Sequence, residues 1–424
     1  MATATASLVD QISYTDLYAR WERGNWAATA LDFSGDHEDW TQRLTETQRR
    51  GALWSYSMFL HGEDSVADNL SPYIDAAPLE EQKYFLATQQ VDEARHAVFF
   101  DRFMREVLEY DSATMRDSLA RTQPELTWGF RNLFALLDRT ADELRRDRSK
   151  PKLAAAVALY HLVVEATVAQ TGQHFIADYL ERDGLMPGFA AGMANVANDE
   201  QRHIAFGVKL LADLVAADPE CQDAVAELLR EALRYAVVLF VPPNWELSYI
   251  ESFGSSLEEL YVSGLTSLQS KLRAAGLPIE QLPGVLPLPT DITPDEQAQR
   301  AIALVRAGVL GEKLGPPARD HETMALVFDA VSRSLDHRRT PPSPVTIQWD
   351  FSDAEPWRLR IDNGATSVAP ERAPAPDLTL RCRWEDWVDI AMGREDARRA
   401  VLKQKLRPRG SMRVLLRMPS MFAM

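Results

Sequence analysis

Two Glu-x-x-His sequences, each preceded by a lone glutamate in its own helical stretch, constrain this chain more than anything else in it. The first set is Glu63, then Glu93 and His96; the second is Glu165, then Glu200 and His203. Lone and paired glutamates are 30 residues apart in the first set and 35 in the second. That is the length of two antiparallel helices and a turn. On a helix, residues three apart share a face. A Glu and its His can therefore bind one ion together, and a lone Glu from a neighbouring helix can bridge to a second. Four carboxylates and two imidazoles on four helices predict a two-metal site inside a bundle. Oxygen and imidazole donors suit iron or manganese, and the lack of thiolates argues against structural zinc.

Chance supplies part of such a pattern. Eight histidines, with about one Glu in fourteen residues, give roughly 0.5 accidental Glu-x-x-His pairs. The bland alternative is two solvated ion-pair motifs. The lone glutamates weigh against it, and so does the text around Glu165, ALYHLVVEATVAQ. A carboxylate in so apolar a run needs a charged partner or a metal.

The rest of the chain fixes the setting. At 424 residues two domains are expected. A net charge of −16 without a long Lys/Arg block argues against nucleic acid as a partner. Cys221 and Cys382 lack metal or redox spacing and read as reduced thiols of a cytoplasmic protein. MATATASLVDQ shows no secretory signal. The apolar run AVVLFV at 236–241 is far too short to span a bilayer, so no transmembrane segment is expected. Residues 10–40 are Trp-rich and irregular. Apolar spacings of three and four then predict helices over 44–68, 79–108, 125–146, 151–182, 188–216, 219–241 and 255–275. A proline-rich stretch follows at 276–296, and GPPARD at 315–320 reads as a linker. After a helix at 321–336 the period switches to two. Strands are expected at Val345–Phe351, at Trp357–Ile361 before an Asp362-Asn363-Gly364 turn, at Leu378–Cys382, and through Met412, Val414 and Leu416. WEDWVDIAMG reads as a short amphipathic helix. The domains expected are an all-α one over 1–316 and an α+β one over 317–424.

The stretches HGEDSVADNL, QQVDEARHAVFF, ALYHLVVEATVAQ and ANVANDEQRHIAFG resemble the ferritin-like superfamily in its ribonucleotide-reductase-small-subunit (R2) branch, over roughly residues 10–275. Radical-carrying subunits usually place a Tyr four residues after the first motif His; here that residue is Phe100. The chain is most similar to R2-like ligand-binding oxidases. In that family a Val three residues after the first Glu becomes ether-linked to a Tyr five residues before the third. The matching residues are Val66 and Tyr160. The resemblance implies a di-iron or manganese/iron centre, O2 as co-substrate, an apolar fatty-acid-like ligand, an external electron donor and a homodimer. Arylamine N-oxygenases carry a third His where this chain has Val196. An amine N-oxygenase or hydroxylase of a biosynthetic pathway is one alternative. A non-catalytic lipid-binding metalloprotein, or a radical-generating subunit, is the other.

Around the ligands, Asp92 and Asp199 each precede a motif Glu and read as partners of the ligand imidazoles. Arg95 and Arg202 either assist them or face solvent. His161 and His174 flank Glu165, and Phe99, Phe100 and Phe103 form an aromatic packing face. Further on, PDLTLRCRWEDWVDIAMG and AVLKQKLRPRGSMRVLLRM resemble the sterol-carrier-protein-2-like domain. The match falls on Asp377, Trp387, Gly393, Gly410 and Met412. It implies a curved sheet and helices around an apolar tunnel, or a docking domain with a filled core.

Overall fold

A computed structural model describes residues 12–286 and 288–422. The stretch MATATASLVDQ lies outside the described residues. Two compact units divide between Pro278 and Ile279.

The principal helices of the first unit are α1 (Tyr14–Arg23), α2 (Glu46–Asn69), α3 (Glu80–Glu106), α4 (Trp128–Arg146), α5 (Lys150–Asp183), α6 (Pro187–Ala217), α7 (Glu220–Ala236) and α8 (Leu257–Ala274). Their ends follow local chemistry. Thr45 and Gln48 form a capping box that starts α2, satisfying backbone N–H groups that lack helical partners. Gly184, at φ 58°, closes α5 in the left-handed region. The helix α4 is two-sided and buries Phe130, Leu133, Phe134, Leu137 and Leu144. By contrast α5 is buried almost all round from Leu153 to Val168. By length and apolar content it could cross a membrane, but 83% of its most apolar window is buried inside the bundle. It is the central core helix.

Three expectations change in this unit. The Trp-rich segment 10–40 is not wholly irregular. It contains α1, started by the Ser13 side chain accepting from the Asp16 N–H. The helix expected to reach 241 stops at Ala236. Residues 158–169 inside α5 wind in the wider i→i+5 register, so residues five apart come close to one face.

The second unit holds α9 (Pro294–Arg306), α10 (His321–Arg333), α11 (Trp384–Ala391), α12 (Ala397–Leu402) and α13 (Met412–Met421). Its sheet has the order β3-β2-β1-β4-β5. The strands are β1 (Val345–Phe351), β2 (Trp357–Asp362), β3 (Ala365–Ala369), β4 (Leu378–Cys382) and β5 (Arg407–Gly410). The pair β1/β4 is parallel and the other pairs are antiparallel. Asn363 and Gly364, both at positive φ, make the β2–β3 turn. Val345, Ile347, Trp349 and Phe351 alternate into the core. There Phe328 stacks on Trp357 with centroids 4.7 Å apart, and Trp349 meets Trp387 at 5.2 Å.

Two corrections belong here. Met412, Val414 and Leu416 lie on a helix, not a strand. Ser411 caps its N-terminus, and Val414, Leu415, Met418 and Met421 pack at helical spacing against the core. The edge strand is instead β5. The division also falls at 278 rather than 316. The helix α9 packs on α10, and Leu304 and Val309 join the core of the second unit.

Candidate metal centre

The six motif residues come together in the first unit. Glu63 projects from α2, Glu93 and His96 from α3, Glu165 from the wide-wound part of α5, and Glu200 and His203 from α6. All six are buried. Ligand atoms of Glu63, Glu93, His96 and Glu200 lie within 4.8 Å of one another, as do those of Glu93, Glu165 and His203. His96 Nδ1 lies 3.4 Å from Glu93 Oε2 and 3.6 Å from Glu200 Oε1. His203 Nδ1 lies 3.2 Å from Glu93 Oε1 and 3.7 Å from Glu200 Oε2. The paired glutamates Glu93 and Glu200 thus straddle the two halves. The lone glutamates sit one per half, with Glu63 Oε2 3.3 Å from His96 Nδ1 and Glu165 Oε1 3.7 Å from His203 Nδ1. The oxygens that reach both halves are thus those of the paired glutamates, where the sequence pointed to the lone ones.

The surrounding residues hold both imidazoles in crossed fashion. His96 Nε2 bonds Asp199 at 3.1 Å, and His203 Nε2 bonds Asp92 at 3.1 Å. Each aspartate comes from the other motif. With Nε2–H donating, the Nδ1 lone pair faces the carboxylates. Arg95 and Arg202 each bond both aspartates. Trp21 donates its indole N–H to Asp92, and Trp26 does so to Asp199, both at 2.8 Å. The sequence offered Asp92, Asp199, Arg95 and Arg202 by proximity to the motifs. It gave no pairing for Trp21 and Trp26, although the Trp-rich text that carries them stood out.

Burial sets the protonation of these side chains. Desolvation pushes Glu63 up to about 8 and raises Glu165 and Glu200. Burial opposes ionisation of Glu93 too, but His203 and His96 overcome it and hold this carboxyl low. The same carboxylates raise both imidazoles against the cost of burial. Protons therefore balance the charge where cations could. Glu165 Oε2, Glu200 Oε2 and His203 Nδ1 are buried without hydrogen-bond partners. Such orphaned donor atoms, facing one another among carboxylates, fit a pair of divalent ions.

The other sequence candidates separate clearly. Tyr160 is buried and donates to Glu93 Oε1 at 2.8 Å. Val66 is buried, one turn beyond Glu63, and lines a cavity. His161 is buried and bonds Gln89 Oε1 at 3.2 Å, while Gln89 Nε2 donates to Glu165 Oε1 at 2.7 Å. Gln89 had no motif to mark it. His174 is exposed and takes no part. Phe99, Phe100 and Phe103 pack the bundle core, as expected.

The cavity holds about 760 Å³ of empty space, counting the part open to solvent. Glu63, Glu93, Glu165 and Glu200 form part of its wall. Met58, Phe59, Phe130, Phe134, Val164, Val168 and Phe175 supply much of the rest.

The family profile described as "Ribonucleotide reductase, small chain" matches residues 9–238, more than half of the chain. The chain belongs to the ribonucleotide reductase small-chain family. Within this family its first unit resembles solved R2-like ligand-binding oxidases. The one from Sulfolobus acidocaldarius is 26% identical, with a TM-score of 0.52, covering 63% of this chain and 93% of that one. A variant with an anaerobically reconstituted Mn/Fe cofactor is 21% identical, with a TM-score of 0.53 and coverages of 62% and 94%. Another such variant gives 22%, 0.54, 63% and 95%. At these lower identities the likeness is one of fold. The "SCP-2 sterol transfer family" profile matches residues 333–423. This small-chain family member therefore joins a ferritin-like R2 bundle to a sterol-carrier-protein-2-like α+β domain.

Proposed function

We propose that this chain is an O2-dependent dinuclear metal oxidase or oxygenase acting on an apolar, fatty-acid-like small molecule. Glu63, Glu93, His96, Glu165, Glu200 and His203 hold two iron ions, or one manganese and one iron. One observation carries the reading. Glu93 and Glu200 each offer one oxygen to each half of the cluster, and they do so at the wall of an apolar cavity. The Mn/Fe cofactor of the R2-like ligand-binding oxidases supports the metal choice.

When bound, the ions supply O2 reduction and the oxidising power to take hydrogen from an unactivated C–H bond. The chain supplies the rest. Asp92 and Asp199 hold Nε2 of each ligand imidazole and so present Nδ1 to the metal site. The aromatic and aliphatic walls orient the substrate and exclude water. No Lys, Arg or His lines the cavity, so a substrate's acid end finds its only electrostatic partner at the metal end. Tyr160, bonded to Glu93, holds its phenol proton beside the centre. The reading takes Tyr160 and Val66, the pair that the family resemblance marks, to react with each other. An ether bond between them removes two hydrogens, with O2 as the oxidant.

The reading includes an external electron donor, a homodimer and a cytoplasmic setting, the last supported by two unpaired, buried cysteines. The aromatic interior of the second unit favours docking or assembly over lipid carriage for that domain.

Elemental analysis after anaerobic loading with Fe(II), alone or with Mn(II), is the deciding test. About two ions per chain are expected, and Glu165→Ala should lose them. Saturation at zero, or with zinc alone, would sink the reading. Peptide mapping after exposure to air then checks the Val66–Tyr160 link, and O2 consumption with candidate acids checks turnover.

A further inference from the structure

The last 28 residues invert the charge of the chain. Residues 397–424 carry eight Lys and Arg and no Asp or Glu. They hold +8 in a chain whose total is −16, which leaves −24 on residues 1–396. The basic residues are dispersed rather than consecutive, so no run of them stands out in the sequence. Lys403 and Lys405 pair with Asp386 and Glu395. Arg398, Arg399, Arg409, Arg413 and Arg417 make no ion pair with a described residue.

Large apolar side chains lie exposed in the same segment. Leu402 is 82% exposed and Leu416 is 77% exposed, with Met412 also out. On α13 the two kinds interleave. Val414, Leu415, Met418 and Met421 face the core. The outer face carries Met412 and Leu416 beside Arg413 and Arg417, each pair spaced by four. A folded core has no use for such a face. Lone exposed leucines need no explanation, but Met412 and Leu416 one turn apart, beside the unpaired Arg413 and Arg417, mark an interaction surface.

We propose that this face docks on an anionic phospholipid bilayer. An acidic protein surface could satisfy the arginines, but it would press Met412 and Leu416 against carboxylates. A bilayer interface offers phosphates and, a few ångströms deeper, hydrocarbon, and so satisfies both components. The remaining −24 does not prevent contact, because charges beyond about 8 Å are largely screened at physiological salt. The inference stands apart from the metal reading, since it uses no residue of the bundle.

Flotation of the full-length protein with phosphatidylcholine vesicles, with and without 30% phosphatidylglycerol, tests it. Binding is expected only to the anionic vesicles, and it should fade as salt rises. Arg413→Glu with Arg417→Glu should weaken partitioning at least about tenfold, since each basic residue near an anionic leaflet contributes roughly fivefold. Leu416→Ser should weaken it less steeply and leave the salt dependence intact. Unchanged circular dichroism and metal content keep the variants interpretable. Equal binding to neutral vesicles, no binding to either, or undiminished binding by the double variant would overturn the proposal. So would salt-sensitive self-association that the double variant abolishes, which would assign the face to an acidic protein partner.

Discussion

Gln89 is the residue on which the order of the cluster turns. Its amide N–H donates to Glu165 at 2.7 Å and, at 3.4 Å, to Glu93. Its amide oxygen meets His161 Nε2. Burial pushes His161 down to about 3, so this ring is neutral and donates, which turns the Gln89 amide nitrogen toward the carboxylates. Gln89→Leu should keep the fold and weaken metal binding by about 10- to 100-fold, the usual cost of losing a partner behind a ligand. Anaerobic competition titration with a chromophoric chelator reads the change, and an unchanged affinity would refute the positioning role. His161 also has a signature in stability. Its folded pKa lies below its unfolded value near 6.5, so between pH 6.5 and about 3 the unfolded chain binds the extra proton. Stability is therefore present above pH 6.5 and is lost as pH falls, by on the order of 1.4 kcal/mol per unit at full slope. Urea unfolding at pH 5 and 7 should show that dependence reduced in His161→Phe, whatever constant cost the substitution adds. Equal dependence in both proteins would show that His161 does not titrate as described.

At the scale of elements, legibility followed periodicity. The two-sided bundle helices and the first three expected strands match their expected spans closely because each buries one face at its own period. The helix α5 was found, but its wide winding was not, since i→i+5 register leaves no composition of its own. That winding brings Tyr160 and Glu165 toward one face, which an α-helical count of five residues does not. The strand expected through Met412 failed because out-in-out alternation over five residues also occurs on a helix, where Met412 and Leu416 face out and Val414 faces the core. Only the later Met418 and Met421 decide between them. The helix α3 carries one more pattern. Tyr84, Ala87, Val91, Ala94 and Val98 are all exposed, at the three-and-four spacing of a helix-pairing seam. A twofold contact between two copies would pair this one patch with itself. Glu93 and His96 lie on the opposite, buried side, so such pairing would brace the metal helix. Val91→Cys should therefore form a disulfide-linked dimer on mild oxidation, visible in non-reducing electrophoresis. Val91→Glu should shift the mass measured by light scattering toward the monomer. A Val91→Cys protein that forms no disulfide-linked dimer while the wild type is dimeric would place the interface elsewhere.

For the whole molecule, the sequence located the chemistry better than the seam between the units. All six motif residues are in the first unit, and the C-terminal α+β character was visible from its change of period. GPPARD resembles a linker and points to a boundary at 316, yet Leu304 and Val309 already belong to the second core. Proline marks a break in a helix equally well at a domain border and inside a domain, so composition could not choose between 278 and 316. The distinction has consequences for truncation. A chain ending at 278 removes the second unit entire and should remain a monodisperse bundle that takes up metal like the full protein. A chain ending at 316 retains α9 but not α10, on which it packs, so the apolar face that carries Leu304 loses its cover. Exposing such a face invites association. The longer truncation should thus aggregate more than the shorter one, while a fragment from 279 onward should unfold at higher urea than one from 317. The loss of Leu304 and Val309 alone should cost that smaller fragment several kcal/mol. Size-exclusion chromatography and urea melts of the four proteins decide the matter. If the chain ending at 316 were the better behaved of the two, α9 would belong with the bundle.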